Sequence, residues 1–117
     1  MIALQGKEVY LACGFTDLRK SINGLVALVE GSFRLDPFGG AIFAFCNRSR
    51  DRLKLVEWDG DGFWLHLKRL EKGHFKWPTI GENATMILSG ADLEMLLGGA
   101  KVELKIRRKE VLERAAI

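Results

Sequence analysis

Arg48, Arg50 and Arg52 alternate through Asn47-Arg48-Ser49-Arg50-Asp51-Arg52, Lys54 follows, and Trp58, Trp64, His66, Lys68 and Arg69 come soon after. Cations neutralise phosphates and flat rings stack on bases, so residues of these types presented together point to a nucleic-acid surface. In that reading Arg48, Arg50, Arg52, Lys54, His66, Lys68 and Arg69 contact the backbone, and Trp58 or Trp64 is the stacking platform. Three neighbouring guanidiniums repel one another and Asp51 is their only local counter-charge, which makes an external anion the economical partner. A second run, Arg107-Arg108-Lys109, is suited to the same task. The competing reading is that the two tryptophans cover a helix-packing face and the basic stems lie along its rim.

Other chemistries find little support. Asp59-Gly60-Asp61-Gly62 opens like a calcium loop but lacks the third acidic ligand and the distal Glu, so it reads as a hairpin turn. His66 and His74 have no Cys, Asp or Glu at a metal-binding spacing. There is no Gly-rich loop ending in Gly-Lys-Ser/Thr and no Gly-x-Ser-x-Gly elbow, and Asp17, Asp36, Asp51 and Glu57 are scattered. We therefore expect no enzyme, no catalytic residues, no metal and no cofactor. Cys13 and Cys46 fall in apolar segments and are expected to stay free thiols rather than bridge.

The elements that must position these residues follow from patterning. The chain has 117 residues, is 48% hydrophobic and 28% charged, and has two prolines, which suits one domain spanning 1–117 with a single core. Charge is uneven: Lys and Arg outnumber Asp and Glu eight to five over 48–76 and six to three over 101–117. Residues 7–13 read as a buried or edge strand ending at Gly14. A helix is predicted over 16–30, capped by Thr16 or Asp17, with Leu18, Ile22, Leu25 and Val29 on one face and Gly31 just past its end. Asp36-Pro37-Phe38-Gly39-Gly40 is turn chemistry. Segments 41–46, 52–58 and 63–69 read as three strands of an antiparallel meander, and 74–77 as a short fourth.

An odd-length loop around Gly60 would put Leu53 and Leu55 on one face with Phe63, Leu65 and Leu67, joined by Phe43 and Phe45. Arg52, Lys54, Trp58, Trp64, His66 and Lys68 would then share the other face. Beyond Pro78, 84–88 reads as a strand, and Ser89 followed by Asp92 as a helix start, with Leu93, Leu96 and Leu97 facing inward. The fold class is therefore α+β: a single domain in which an N-terminal helix packs on an antiparallel β-meander, with a second short C-terminal helix and a basic, peripheral tail over 101–117. The absence of a signal-like start or a membrane-length apolar run points to the cytoplasm.

Gly14-Phe15-Thr16-Asp17-Leu18-Arg19-Lys20 with Gly24-Leu25, then Asp36-Pro37-Phe38-Gly39-Gly40, the 43–45 strand, Asn47-Arg48-Ser49-Arg50-Asp51-Arg52-Leu53-Lys54, Trp58-Asp59 with Gly62, and Lys68 through Pro78 resemble, block by block and in order, the accessory proteins of IS66-type bacterial insertion sequences. The resemblance covers about residues 7–78. It implies a protein of DNA transposition that works with a small helix-turn-helix protein and a larger transposase carrying the acidic catalytic residues; the basic and aromatic residues themselves make the element's DNA ends a candidate partner. It implies no nuclease, because the RNA-guided nucleases that share this family's name are several times longer and carry an acidic core absent here. A pure protein adaptor of the transposase, with the same aromatics as its hot spot, is the alternative, and a metal-dependent nuclease a remote one. Neither residues nor resemblance specify an oligomeric state.

Overall fold

The computed structural model describes residues 3–79 and 83–98. In chain order the elements are strand β1 (Glu8–Ala12), helix α1 (Ile22–Ala27) running into a single π turn (Leu28–Ser32), strands β2 (Ile42–Cys46), β3 (Arg52–Trp58), β4 (Phe63–Arg69) and β5 (Thr85–Ser89), and helix α2 (Gly90–Leu97). The strands form one sheet in the order β4-β3-β2-β1-β5. The meander β2-β3-β4 is antiparallel as expected, and β5 pairs antiparallel to β1, but β1 runs parallel to β2. A parallel neighbour needs a crossover, which the α1 segment supplies. The fold is α+β with two helices.

Both faces of the sheet are covered. On one, Val9, Leu11, Ile42, Ala44, Cys46, Leu53, Leu55, Met86 and Leu88 pack against Leu93 and Leu96 of α2 and against Phe75 and Trp77. On the other, Ala12, Phe43, Phe45 and Val56 pack against Leu25 and Val29. The predicted fourth strand at 74–77 is instead an irregular crossing segment. It is fixed by burial of Phe75 and Trp77 and by the Trp77 indole N–H, which donates to the Ala12 carbonyl at 2.9 Å.

The predicted register is overturned in β3. Cys46 faces Leu53 and Trp58 faces Phe63, so Lys54 lies opposite Phe45 and Leu67, and Val56 opposite Phe43 and Leu65. Phe43, Phe45, Phe63, Leu65 and Leu67 share the α1 side as expected, but Leu53 and Leu55 point to the α2 side. The expected basic and aromatic face is therefore divided: Arg52, Lys54 and Trp58 lie on the α1 side, Trp64, His66 and Lys68 on the α2 side. The physical reason is that β3 is an interior strand between two cores. Burying Leu53, Leu55 and Val56 satisfies both layers, whereas Leu67, near the end of edge strand β4, is left 60% exposed.

The N-terminal helix is also shorter than predicted. It begins after Ser21, whose side chain makes no capping bond, and Gly31 lies within the π turn rather than past its end. Residues 15–20 stay out of the helix because their backbone is engaged elsewhere. The Thr16 N–H donates to the Cys46 carbonyl at 2.8 Å, and the Lys54 ammonium donates to the carbonyls of Leu18 at 2.6 Å and Lys20 at 2.9 Å. Helix α2 begins as predicted: the Ser89 hydroxyl accepts from the Asp92 N–H at 3.1 Å. Gly90 is required there, since a Cβ would fall 1.7 Å from the Leu4 carbonyl oxygen.

Candidate nucleic-acid interface

The arginine loop between β2 and β3 is built on Asn47. Its side-chain oxygen accepts the N–H groups of Asp51 and Arg52, both at 3.1 Å, and its amide donates to the Asp51 carboxylate at 2.7 Å. The Arg50 N–H closes on the Asn47 carbonyl, with Arg50 at φ 58°, a left-handed conformation in which Asn47's side-chain bonds help to hold it. Segment 70–75 supports the loop from outside. The N–H groups of Leu70 and Phe75 donate to the carbonyls of Asp51 and Arg50, both at 2.7 Å, and His74 Nδ1 lies 2.8 Å from the Ser49 carbonyl oxygen. Every loop residue from 49 to 51 thus has its carbonyl occupied.

This leaves the loop's charges unbalanced. Asp51, the local acid, is held below its ordinary carboxylate range, chiefly by the Asn47 amide, and its nearest guanidinium is Arg52 at 3.5 Å. Among the described residues neither Arg48 nor Arg50 forms an ion pair, and both are exposed. Arg48 instead lies over the Phe15 ring, 6.0 Å from its centre, at the outer limit of a cation–π contact.

Beside the loop is a groove of about 540 Å³ between segment 15–19 and the loop, lined by Phe15, Thr16, Asp17, Leu18 and Arg19 on one wall and Asn47, Arg48, Ser49 and Arg52 on the other. Arg19 grips Asp17 through both carboxylate oxygens, at 2.8 to 3.2 Å, and this bond holds the Asp17 carboxyl down to about 2. Arg52 has Arg69 as its cross-strand neighbour, and Arg69 is paired with Glu71 at 2.6 Å. The groove is therefore bordered by Arg19, Arg48 and Arg52, with Arg50 on the same loop and Arg69 on the next strand.

The other predicted residues lie elsewhere. Lys54 is turned under the 15–20 segment by its two carbonyl bonds. Trp58, at the far end of β3, forms an aromatic cluster with Phe38 and Phe63 at 5.0 and 4.9 Å. Trp64 stacks on His66 at 5.9 Å on the α2 side, with its indole N–H donating to Asp59. The Lys68 ammonium caps α2 at the Leu97 carbonyl. Arg107, Arg108 and Lys109, and the tail over 101–117 expected to be peripheral, lie outside the described residues.

Sequence reasoning missed Thr16 and Arg19 because it assigned them to a helix, and Phe15 because it stands just before that helix. The available signal was that Gly14–Lys20 and Asn47–Lys54 are both blocks of the family resemblance, and the fold brings those two blocks together across the groove. Cys46, buried in the α2-side core, has its thiol pushed up to about 12 by burial, which leaves no thiolate for chemistry at neutral pH. Among the described residues no three His, Cys, Asp or Glu converge as a metal set, and no helix is long and apolar enough to cross a membrane.

A family model described as IS66 Orf2 like protein matches residues 7–107. The uncharacterized protein y4jC of Sinorhizobium fredii (strain NBRC 101917 / NGR234) is 36% identical over 107 residues, which is 92% of this chain and 90% of that protein. The uncharacterized protein y4hO of the same strain is 38% identical over 95 residues, 81% of this chain and 82% of its own. No solved structure matches. With the match running past the resemblance seen at 7–78 and through both cores, the chain belongs to the IS66 Orf2-like family of insertion-sequence accessory proteins.

Proposed function

We propose that this protein acts beside the transposase and helix-turn-helix protein of its insertion sequence by holding a nucleic-acid phosphate backbone in the groove between residues 15–19 and the arginine loop. The observation that carries the reading is that Arg48 and Arg50, without ion pairs among the described residues, project from a loop whose backbone is fixed on both sides. A backbone held in place presents the two side chains at a defined point of the surface, and because Arg19, Arg52 and Arg69 each have a carboxylate beside them, the uncompensated positive charge is that of Arg48 and Arg50. Phe15, 40% exposed beside Arg48, offers a ring at the groove mouth where Trp58 and Trp64 do not reach.

The test is binding of the full chain to the element's terminal DNA, with and without the transposase, over a range of salt. Each phosphate that the protein no longer neutralises flattens the slope of log affinity against log salt by ~0.9 for duplex DNA. Arg48→Ala with Arg50→Ala is expected to flatten the slope by the equivalent of one to two phosphates and to reduce transposition, while the fold is retained because exposed substitutions shift stability by less than ~0.5 kcal/mol. An unchanged slope together with normal transposition would instead favour a protein adaptor. The observation on the adaptor's side is Phe38, half exposed in the Phe38–Trp58–Phe63 cluster, and an interface there would respond weakly to salt.

A further inference from the structure

Among the described residues strand β4 ends the sheet, so one row of its backbone N–H and C=O groups has no described strand beside it. Among the described residues the usual protections of such an edge are missing along most of its length. Phe63–Arg69 contains no proline, and its pairing with β3 runs unbroken through seven residue pairs, from Trp58↔Phe63 to Arg52↔Arg69, with no bulge to twist it away. Trp64 and Leu67 are 55% and 60% exposed there. Only Lys68 and Arg69, at one end, carry charge.

We infer that β4 pairs with β4 of a second copy of this chain, antiparallel, with His66 on the two-fold axis, joining the two sheets edge to edge. The order of side chains selects this occupant and this register. With His66 facing the partner's His66, Trp64 faces the partner's Lys68, Phe63 faces the partner's Arg69 and Leu65 faces the partner's Leu67, so each cation of one copy lies opposite an aromatic ring of the other, with Lys68 still bonded to the Leu97 carbonyl and Arg69 still paired with Glu71. Cation–ring and apolar cross-strand pairs of this kind stabilise an antiparallel ladder. Shifting the axis to Leu65 or Leu67 leaves one end of the strand unpaired, and a parallel in-register pair sets Lys68 and Arg69 against their own copies. The charges that would repel a generic strand thus complement this one. The two walls of the groove lie on other segments, and of β4 only Arg69, opposite Arg52 at the strand's end, comes near it.

A short edge interface is weak, so the exchange between monomer and dimer is expected within reach of dilution from ~100 µM protein. Sedimentation of the full chain should show a dimer at that concentration and a monomer after dilution, and Trp64→Lys, which places like charges together, should raise the dissociation midpoint at least tenfold. Register is read by cysteine pairing. His66→Cys should oxidise to a disulfide-linked dimer. Trp64→Cys should not do so alone, since its copies would lie ~13 Å apart, beyond the ~7 Å a disulfide spans, but it should link to Lys68→Cys when the two are mixed. The unsubstituted chain, whose Cys46 is buried and Cys13 half-buried, is the control for native thiols, and circular dichroism confirms that each variant folds. A monomer throughout the range, or Trp64→Cys linking to itself as readily as His66→Cys, overturns the inference. A strand from another protein would then be the edge's partner.

Discussion

Asp17 and Arg19 show how one ion pair shapes the groove wall. The bidentate bond removes Asp17's charge from the set that would repel a phosphate, while the rest of Arg19 stays exposed. Because the folded-state value lies below the ordinary 3.8, the pair's stabilisation is complete above that pH and is lost as pH falls through about 2. Carboxyl titration by nuclear magnetic resonance is expected to place the Asp17 midpoint near 2 in the intact protein and to move it up toward 3.8 in Arg19→Ala. The same substitution exposes an uncompensated carboxylate beside Arg48 and should weaken DNA binding more than the loss of one cation alone.

At the scale of elements, the non-helical segment 15–20 depends on a residue distant in sequence. Lys54, from the middle of β3, supplies donors to the Leu18 and Lys20 carbonyls that an earlier helix start would have turned inward. Lys54→Met keeps the stem's packing and removes both bonds, leaving two carbonyls to water. It is expected to lower unfolding free energy by ~1–3 kcal/mol, measured by urea denaturation. Since the Lys54 ammonium is bonded away from the groove, this variant should bind DNA less tightly while keeping the wild-type salt slope. That outcome separates it from the arginine-loop variants, which change the slope itself.

At the scale of the whole molecule, the sheet serves two cores, and irregular chain closes one of them. Phe75 lies in no strand or helix, yet it is fully buried with Trp77 in the α2-side core, and its N–H ties that core to the Arg50 carbonyl. Phe75→Ala is expected to cost ~3–5 kcal/mol in a thermal or denaturant melt. Loosening the support of residues 49–51 should also speed amide exchange in the arginine loop, before any effect on the distant β1–β5 pair.

The sequence by itself determined the five segments that form strands among the described residues, though it added a sixth at 74–77 that is irregular, together with the α+β class, the Ser89 start of α2 and the turn that carries the arginines, because each rests on local chemistry: β-rich runs bounded by turns and a hydroxyl placed to accept a free N–H. Tertiary structure alone decided which way β3 faces and where α1 begins. Alternation identifies the two faces of a strand only when one of them meets water. In β3, Leu53 and Leu55 serve one core and Val56 the other, so matching apolar residues across a single face selected the wrong partners for Lys54 and separated Trp58 from Trp64. The spacing of Leu18 with Ile22, Leu25 and Val29 likewise fits a continuous helix, but Leu18 reaches the α1-side core from a turn before it. Helical periodicity records which residues are buried together. It does not record that Thr16 and Lys54 bind the backbone of that segment to strands 30 or more residues away, and it is those long-range bonds that bring Phe15 and Arg19 up to the arginine loop.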